Sequence, residues 1–447
     1  MSAEMQHSLN LKSQKKWSKE GSSRTIPPEA TLKRALQACK HIGVTRLADI
    51  TSMDRLGIPN YSAVLPGTED YIWVYSGKGM TRKQAKASAL MESIERYCSL
   101  PSGNIGRVLF RGTIKELAKT HALIHPDDVI EPLNFQYQPD MIMDFLLGFD
   151  LLNERDILVP APLVFFRYSP SPPAVNPFAF HHTNGLASGN VLEEAVCHAL
   201  CEVIERDASS VSEIRARAIP FHILKTIENN LKQRGYMIST ISPDKFVDDH
   251  TIYRDVEISG DQIKSVEDLT RKFYDSDLPL LIKDITSDIG IPTFAASSIE
   301  WISHDYGYLA EGHGTHPDAR IALSRAITEV SQTRAANIQG ARDDLRKIHY
   351  GEDNTDDKRA WQFIPSNKKI NLSKIKSYCN EDILDDIKLI LRNLKSVGIN
   401  TLAIVDLTNP NINIPVVRAI VPGLETFKFT KSIIGWRAKK YFREVTE

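Results

Sequence analysis

The chain has 447 residues, 42% hydrophobic and 25% charged, and a formal charge of -1 from 55 Lys+Arg against 56 Asp+Glu. That length supports a large core, and the near-zero charge excludes a global field that would recruit nucleic acid or an anionic membrane. No apolar run long enough to span a bilayer occurs, and the polar residues 1–20 lack the apolar segment of a signal peptide. Five scattered cysteines without a C-x-x-C pair support neither a disulfide framework nor a zinc knuckle, so a cytoplasmic protein is expected.

Residues 1–23 are polar and carry Lys12, Lys15, Lys16 and Lys19, the composition of a mobile or loosely docked arm outside the core. From Pro28 onward Leu32, Ala35, Leu36 and Cys39 recur at helical spacing, which predicts a helix ending near Gly43. Residues 71–75 read as a buried strand that runs into Ser76-Gly77-Lys78-Gly79 and a helix over 81–97. Such a glycine turn with a lysine can present N–H groups and a cation to phosphate; it is equally a plain strand–helix connection, because the P-loop spacing is absent.

Residues 157–166 read as a strand interrupted by prolines, 191–210 as a helix, 278–285 and 291–298 as strands, and 318–339 as a long helix. Residues 340–375 are rich in Asp, Lys, Arg and Asn and predict a charged surface excursion. Inner strands are expected over 401–405 and 414–421, and 436–447 forms a short amphipathic C-terminal segment.

In the helix after the glycine turn, Ser88, Glu92 and Glu95 fall in one stripe with Arg96 beside it, next to an apolar stripe of Met91, Ile94 and Cys98. Carboxylates at a core margin fit a desolvated cation site, and fit a solvated helix face as well. A second helix aligns Glu194, His198, Glu202 and Glu205 on one face, after a glycine-bearing lead-in from Asn184 to Gly189. Like charges at that spacing repel unless a counter-ion is held.

Glu92-x-x-Glu95-Arg96 and Glu202-x-x-Glu205-Arg206 are one pattern repeated. Two such helices offer oxygen ligands to Mg²⁺ ions that bridge phosphate oxygens, with the arginines meeting phosphate directly. Cys197 and Cys201 read as small residues packing on the helix, and His198 as a satisfied helix histidine. A third helix carries Glu329-x-x-Gln332-x-Arg334 after Gly312-His313-Gly314-Thr315-His316. Glu329 and Gln332 share a face, Arg334 points well around the helix, and the histidines read as a polar turn.

Together, Ser76-Gly-Lys-Gly, Ser88-x-x-x-Glu92-x-x-Glu95-Arg96, Gly189-Asn190-x-x-x-Glu194, Glu202-x-x-Glu205-Arg206-Asp207, Glu329-x-x-Gln332-x-Arg334 and Val421-Pro-Gly-Leu-Glu425 resemble the YcaO family over residues 24–435. The resemblance implies an α+β fold, helices packed on antiparallel sheets, with an ATP and Mg²⁺ site between helices. It carries ATP contacts onto Lys78, Ser88, Glu95, Asn190, Glu194, Arg206, Gln332 and Arg334, and metal ligation onto Glu92, Glu95, Glu194, Glu202 and Glu205. A basic residue followed by a hydroxyl near the start of the family domain finds its counterpart in Arg24 and Thr31.

The implied chemistry is attack of a nucleophile on a peptide carbonyl, phosphorylation of the oxyanion by ATP and loss of phosphate, giving an azoline from a side chain or a thioamide from sulfide. Azoline-forming members commonly end in a proline-rich tail and use a peptide-clamp partner, whereas this sequence ends at Glu447 without such a tail. Residues 43–51 and 54–59 resemble the stand-alone archaeal branch. That likeness implies thioglycine formation in the large subunit of methyl-coenzyme M reductase, a methanogenesis enzyme, with a TfuA-type sulfur-delivery partner. A peptide azoline cyclodehydratase and a nucleotide-binding accessory subunit are the alternatives, a homodimer is the default assembly, and no residue stands out as a general base.

Overall fold

A computed structural model describes residues 9–18, 23–70, 72–104, 106–258, 264–301, 307–341, 360–430 and 433–446. Its longer helices are α1 (Pro28–Ile42), α2 (Arg82–Ser99), α3 (Leu192–Glu213), α4 (Ile219–Gln233), α5 (Lys264–Asp275), α6 (Ala319–Gln339), α7 (Ile383–Ser396) and α8 (Trp436–Thr446). The strands are β1 (Arg46–Asp49), β2 (Asn60–Val64), β3 (Val74–Lys78), β4 (Phe110–Thr113), β5 (Ala122–Leu123), β6 (Ile142–Asp150), β7 (Arg155–Pro160) and β8 (Leu186–Ser188), then β9 (Arg254–Glu257), β10 (Leu281–Asp284), β11 (Thr293–Trp301), β12 (Gly307–Thr315), β13 (Lys369–Asn371), β14 (Ala403–Asp406) and β15 (Val416–Ile420).

They form a three-stranded sheet β1-β2-β3, a five-stranded sheet β12-β11-β10-β9-β13, and a seven-stranded sheet β5-β7-β6-β14-β15-β8 in which β4 also pairs with β6. Pairing is antiparallel except at the edge strands β5 and β13, so the class is α+β as the resemblance implies.

Alternation along the inner strands sets the layers. Ala403 and Val405 of β14, with Val416 and Ile420 of β15, join a core shared with α1, α2, β6 and β7. Ile404, Val417 and Ala419 point the other way, onto α3 and α7. Both faces are covered, which is why these strands read as unbroken apolar runs. A third core lies between the five-stranded sheet and α5 and α6.

Local signals explain the helix limits. α1 has proline in its first turn and ends at Gly43 in the left-handed conformation (φ 93°), whose N–H donates to Cys39 O. Thr81 and Gln84 form a reciprocal cap on α2, and Asp318 accepts from Arg320 N at the start of α6.

Several expectations shift. The strand expected at 71–75 is β3, three residues later, so Ser76, Gly77 and Lys78 end a strand rather than form a turn; Tyr71 lies outside the described residues. β7 stops at Pro160 and residues 161–164 make a helical turn. Gly312 to Thr315 belong to β12, so His313 is in a strand, not a polar turn.

Of the expected excursion 340–375, residues 342–359 lie outside the description, but Trp361 is buried against Tyr253 and β13 extends a sheet. Residues 9–18 of the expected arm are docked: Lys16 N donates to Glu381 O, Ile383 N to Gln14 O, and Ser13 Oγ to Asp382 Oδ2 at 2.5 Å. Residues 1–8 and 19–22 lie outside the description. Among the described residues no helix is long and apolar enough to cross a membrane.

Candidate active site

Three helices pack against the backbone before them by the same device, two on strands and one on the loop after β8. A Cβ at Gly77 of β3 would lie 2.0 Å from Ala89 N of α2, one at Gly189 2.5 Å from Ala195 N of α3, and one at Gly314 of β12 2.0 Å from Ala322 O of α6. Each contact is backbone against helix backbone, which only glycine permits. Between α2, α3 and α6 lies a cavity of about 590 Å³.

The structure brings Arg24, Thr31, Lys78, Ser88, Glu92, Glu95, Asn190, Glu202, Glu205, Arg206 and Gln332 to its wall, with Arg96, His198, His313, Arg325 and Glu329. Lys78 is held by Glu329, and Gln332 Nε2 donates to Ser76 O at 2.7 Å, so β3 and α6 are tied at the wall. Glu95 accepts from Ser188 N at 2.8 Å, which ties α2 to the end of β8.

Two assigned residues are elsewhere. Arg334 is buried in a fork with both oxygens of Asp54 at 2.9 Å and with Glu300 at 2.6 Å, its guanidinium over the Tyr308 ring. Its direction around α6 takes it off the Glu329–Gln332 face, so it braces the fold instead of meeting ATP. Glu194 is 2% exposed and does not line the cavity. It accepts from Thr25 N and Thr25 Oγ1 at 2.6 Å, from Asn190 N and Nδ2 at 2.9 Å, and from Arg24 Nη1 at 3.3 Å. Five donors exhaust a carboxylate's lone pairs, leaving none for a metal. Glu194 therefore fixes Arg24 and Asn190 at the wall.

Burial, together with Glu92 and Glu202, pushes the Glu95 carboxyl well above the usual range. Burial, with Glu205 and Glu92 adding to it against Arg206, pushes Glu202 up to about 8. Glu205 is raised by burial and by Glu329. Glu329 is itself pulled down, because Lys78 and Arg206 outweigh its burial. Burial opposes the charge on Arg206, yet Glu205, Glu202, Glu329 and Glu311 around it raise its pKa.

Carboxyls this close to neutral mark a site short of positive charge. A divalent cation with oxygen preference fits that donor set. Mg²⁺ keeps several waters and uses one or two carboxylates plus phosphate oxygens. That suits carboxylates spread around a cavity; among the described residues none of them forms a triplet within 4.8 Å.

The triplet that does is Cys197, His316 and Asp386, all buried. His316 Nδ1 accepts from Asp318 N at 2.9 Å, so its proton sits on Nε2, the atom facing Asp386 at 3.9 Å. Lys16 already reaches Asp386 at 2.5 Å. A protonated ring nitrogen and an ammonium exclude a metal there.

Sequence reasoning missed His313, Thr25, Arg325 and the buried Arg418, whose Nε donates to Leu163 O and whose pKa burial lowers to about 10. The alternation Gly312-x-Gly314 was the signal for a strand side that would aim residue 313 away from α6.

The fold and site define a carboxylate-lined cavity built for a metal-bound polyanion, and comparison with known proteins gives the class. Residues 76–425 match the YcaO family, described as an ATP- and Mg²⁺-binding cyclodehydratase. The chain belongs to that family, and ATP and Mg²⁺ are its cofactors.

An uncharacterized protein of Methanothermobacter thermautotrophicus is 33% identical over 93% of this chain and 98% of its own length. A protein encoded in the tfuA 3′ region of Rhizobium leguminosarum bv. trifolii is 29% identical over 90% of this chain and 88% of its own. The fold matches YcaO from Methanopyrus kandleri bound with AMPPCP and Mg²⁺, with a TM-score of 0.66, 22% identity and coverage of 94% and 97%. It also matches a heterocyclase in complex with substrate and cofactor, with a TM-score of 0.70 and 23% identity over 94% of this chain; the chain spans 54% of that protein.

Proposed function

We propose that this protein is an ATP- and Mg²⁺-dependent enzyme that converts a backbone glycine of a protein, the large subunit of methyl-coenzyme M reductase, to a thioamide, with sulfide as nucleophile. The observation that carries the ATP-dependent part is the convergence of both E-x-x-E-R helices and Arg206 on one cavity. The thioamide part is supported by a relative of nearly equal length in a methanogen and by another encoded beside tfuA, which also motivates a TfuA-type sulfur-delivery partner.

Glu92, Glu95, Glu202 and Glu205 are the residues that would hold magnesium ions, which would supply positive charge to the phosphates. Arg24, Lys78, Ser88, Asn190, Arg206 and Gln332, with Thr31, orient the nucleotide. The chain's part is positioning and charge, as phosphoryl transfer requires.

Intact mass spectrometry of a glycine-containing reductase peptide, incubated with the protein, Mg²⁺, ATP and sulfide, tests this. A gain of about 16 Da that needs ATP and is lost in Glu202→Ala is expected from the oxygen-to-sulfur exchange. A loss of about 18 Da on a Cys or Ser peptide instead identifies an azoline former, and tight ATP binding with no change to either peptide identifies an accessory subunit.

A further inference from the structure

His313 sits on β12 between two glycines that lie against α6, so strand alternation turns its ring to the opposite side, where β12 packs on α3. There it forms part of the cavity wall. It is 4% exposed, and its Nε2 is buried without a hydrogen-bond partner. Buried polar atoms are seldom left so, because the lost hydration is not recovered; an orphan in a ligand cavity points to a ligand atom as the missing partner.

The charged groups that act on the ring are Glu311, Lys428, Glu329 and Arg206, and Glu311 and Lys428 are paired with each other. The Glu311 and Lys428 side chains are 36% and 18% exposed, so this pair is in contact with solvent. Burial above all, with Lys428 and Arg206, outweighs Glu311 and Glu329 and pushes His313 down to about 4. The imidazole is therefore neutral and a weak base, able to take a proton only from a group that has become strongly acidic, as S–H does while its electron pair moves into a forming C=S bond. Other candidates are engaged: Glu329 holds Lys78, and on the reading under Proposed function Glu202 and Glu205 are taken up as metal ligands.

We propose that His313 is the proton acceptor of the amide-activation reaction, through Nε2, a role that rests on the reading under Proposed function. Hydrosulfide adds to the glycine carbonyl carbon, forming the C–S bond and moving the C=O π pair onto oxygen. That oxygen takes the γ-phosphoryl group and ADP leaves. The C–O bond then breaks with its electrons on inorganic phosphate, the S–H pair becomes the second bond of C=S, and the proton passes to His313 Nε2.

The test uses the full chain with Mg·ATP, sulfide and the glycine peptide, comparing wild type with His313→Gln and His313→Ala. Product formation is expected to fall at least about 100-fold in both, while calorimetry gives an Mg·ATP Kd within about twofold of wild type. Added imidazole is expected to restore part of the rate in His313→Ala and none in His313→Gln, whose side chain fills the space. A rate retained within about threefold, or a loss that tracks weaker nucleotide binding with no rescue, overturns the assignment. A wild-type protein that binds Mg·ATP and makes neither thioamide nor azoline overturns the amide-activation reading, and this proposal with it.

Discussion

Glu202 shows how a single residue couples protons to stability. Its folded pKa of about 8 lies above the ordinary 4.5, so the folded state prefers the proton. The stability this contributes is complete below pH 4.5 and is lost as pH rises through 8. Glu95 and Glu205 shift in the same direction. Metal-free protein is therefore expected to melt at progressively lower temperature across that window, and Glu202→Gln to flatten the curve, as calorimetric scans at several pH values will show. Binding of Mg·ATP at about pH 7 must also release protons, visible as a buffer-dependent enthalpy in titration calorimetry. Arg334 behaves differently. Because Asp54 and Glu300 take its fork, Arg334→Met is expected to lower stability by about 3–5 kcal/mol by stranding a buried Asp54. The folded fraction should keep wild-type nucleotide affinity; a selective loss of affinity with unchanged stability would show that Arg334 meets ATP after all.

At the scale of elements, the shared construction is a helix pressed on the backbone before it through glycine. Gly314→Ala places a methyl 2.0 Å from Ala322 O, backbone that cannot give way, so β12 must lift from α6. A cost of at least about 2 kcal/mol in urea denaturation is expected. Gly112→Ala in β4, whose nearest neighbour is a Leu117 side chain at 3.4 Å, should stay within about 0.5 kcal/mol. The same construction explains what was legible in the sequence. α1, α2 and α6 carry end signals with their length, α3 carries period and length, and the carboxylate stripes of α2 and α3 follow from spacing alone. α7 carries the same signals, with Ile383, Ile387, Ile390 and Leu394 at helical spacing behind the Asp382 cap, yet it is absent from the elements expected from the sequence. Ser76-Gly-Lys-Gly reads as a turn because glycine usually punctuates; that it is a strand end depends on α2 lying over it. No local pattern could show that Asp54 waits for Arg334, or that Thr25 and Asn190 saturate Glu194.

At the scale of the molecule, the N-terminal strap joins distant parts of the chain to the site. Asp382 both caps α7 through Leu384 N and receives Ser13 Oγ and Gln14 N, while Lys12 N donates to Glu193 Oε1 at 2.7 Å. Trp17 N then donates to Arg24 O at 2.7 Å, and Arg24 and Thr25 close on Glu194 beside Asn190. The deepest anchor is Lys16, whose ammonium meets Asp386 with side chains 7% and 0% exposed. Replacing Lys16 by Met removes the cation and leaves the carboxylate buried, at a cost of about 3–5 kcal/mol. The Lys16→Met/Asp386→Leu pair removes both charges and should recover most of that loss, since a buried ion pair repays little beyond its own desolvation. Nucleotide binding separates this stability effect from the strap's role at the site. If the strap holds Arg24 and Thr25 in register, Mg·ATP affinity falls in Lys16→Met and returns in the double variant, which restores docking through apolar contact. Urea denaturation and titration calorimetry on the three proteins measure both quantities. Affinity unchanged in Lys16→Met would show that Glu194 holds Arg24 without help from the strap.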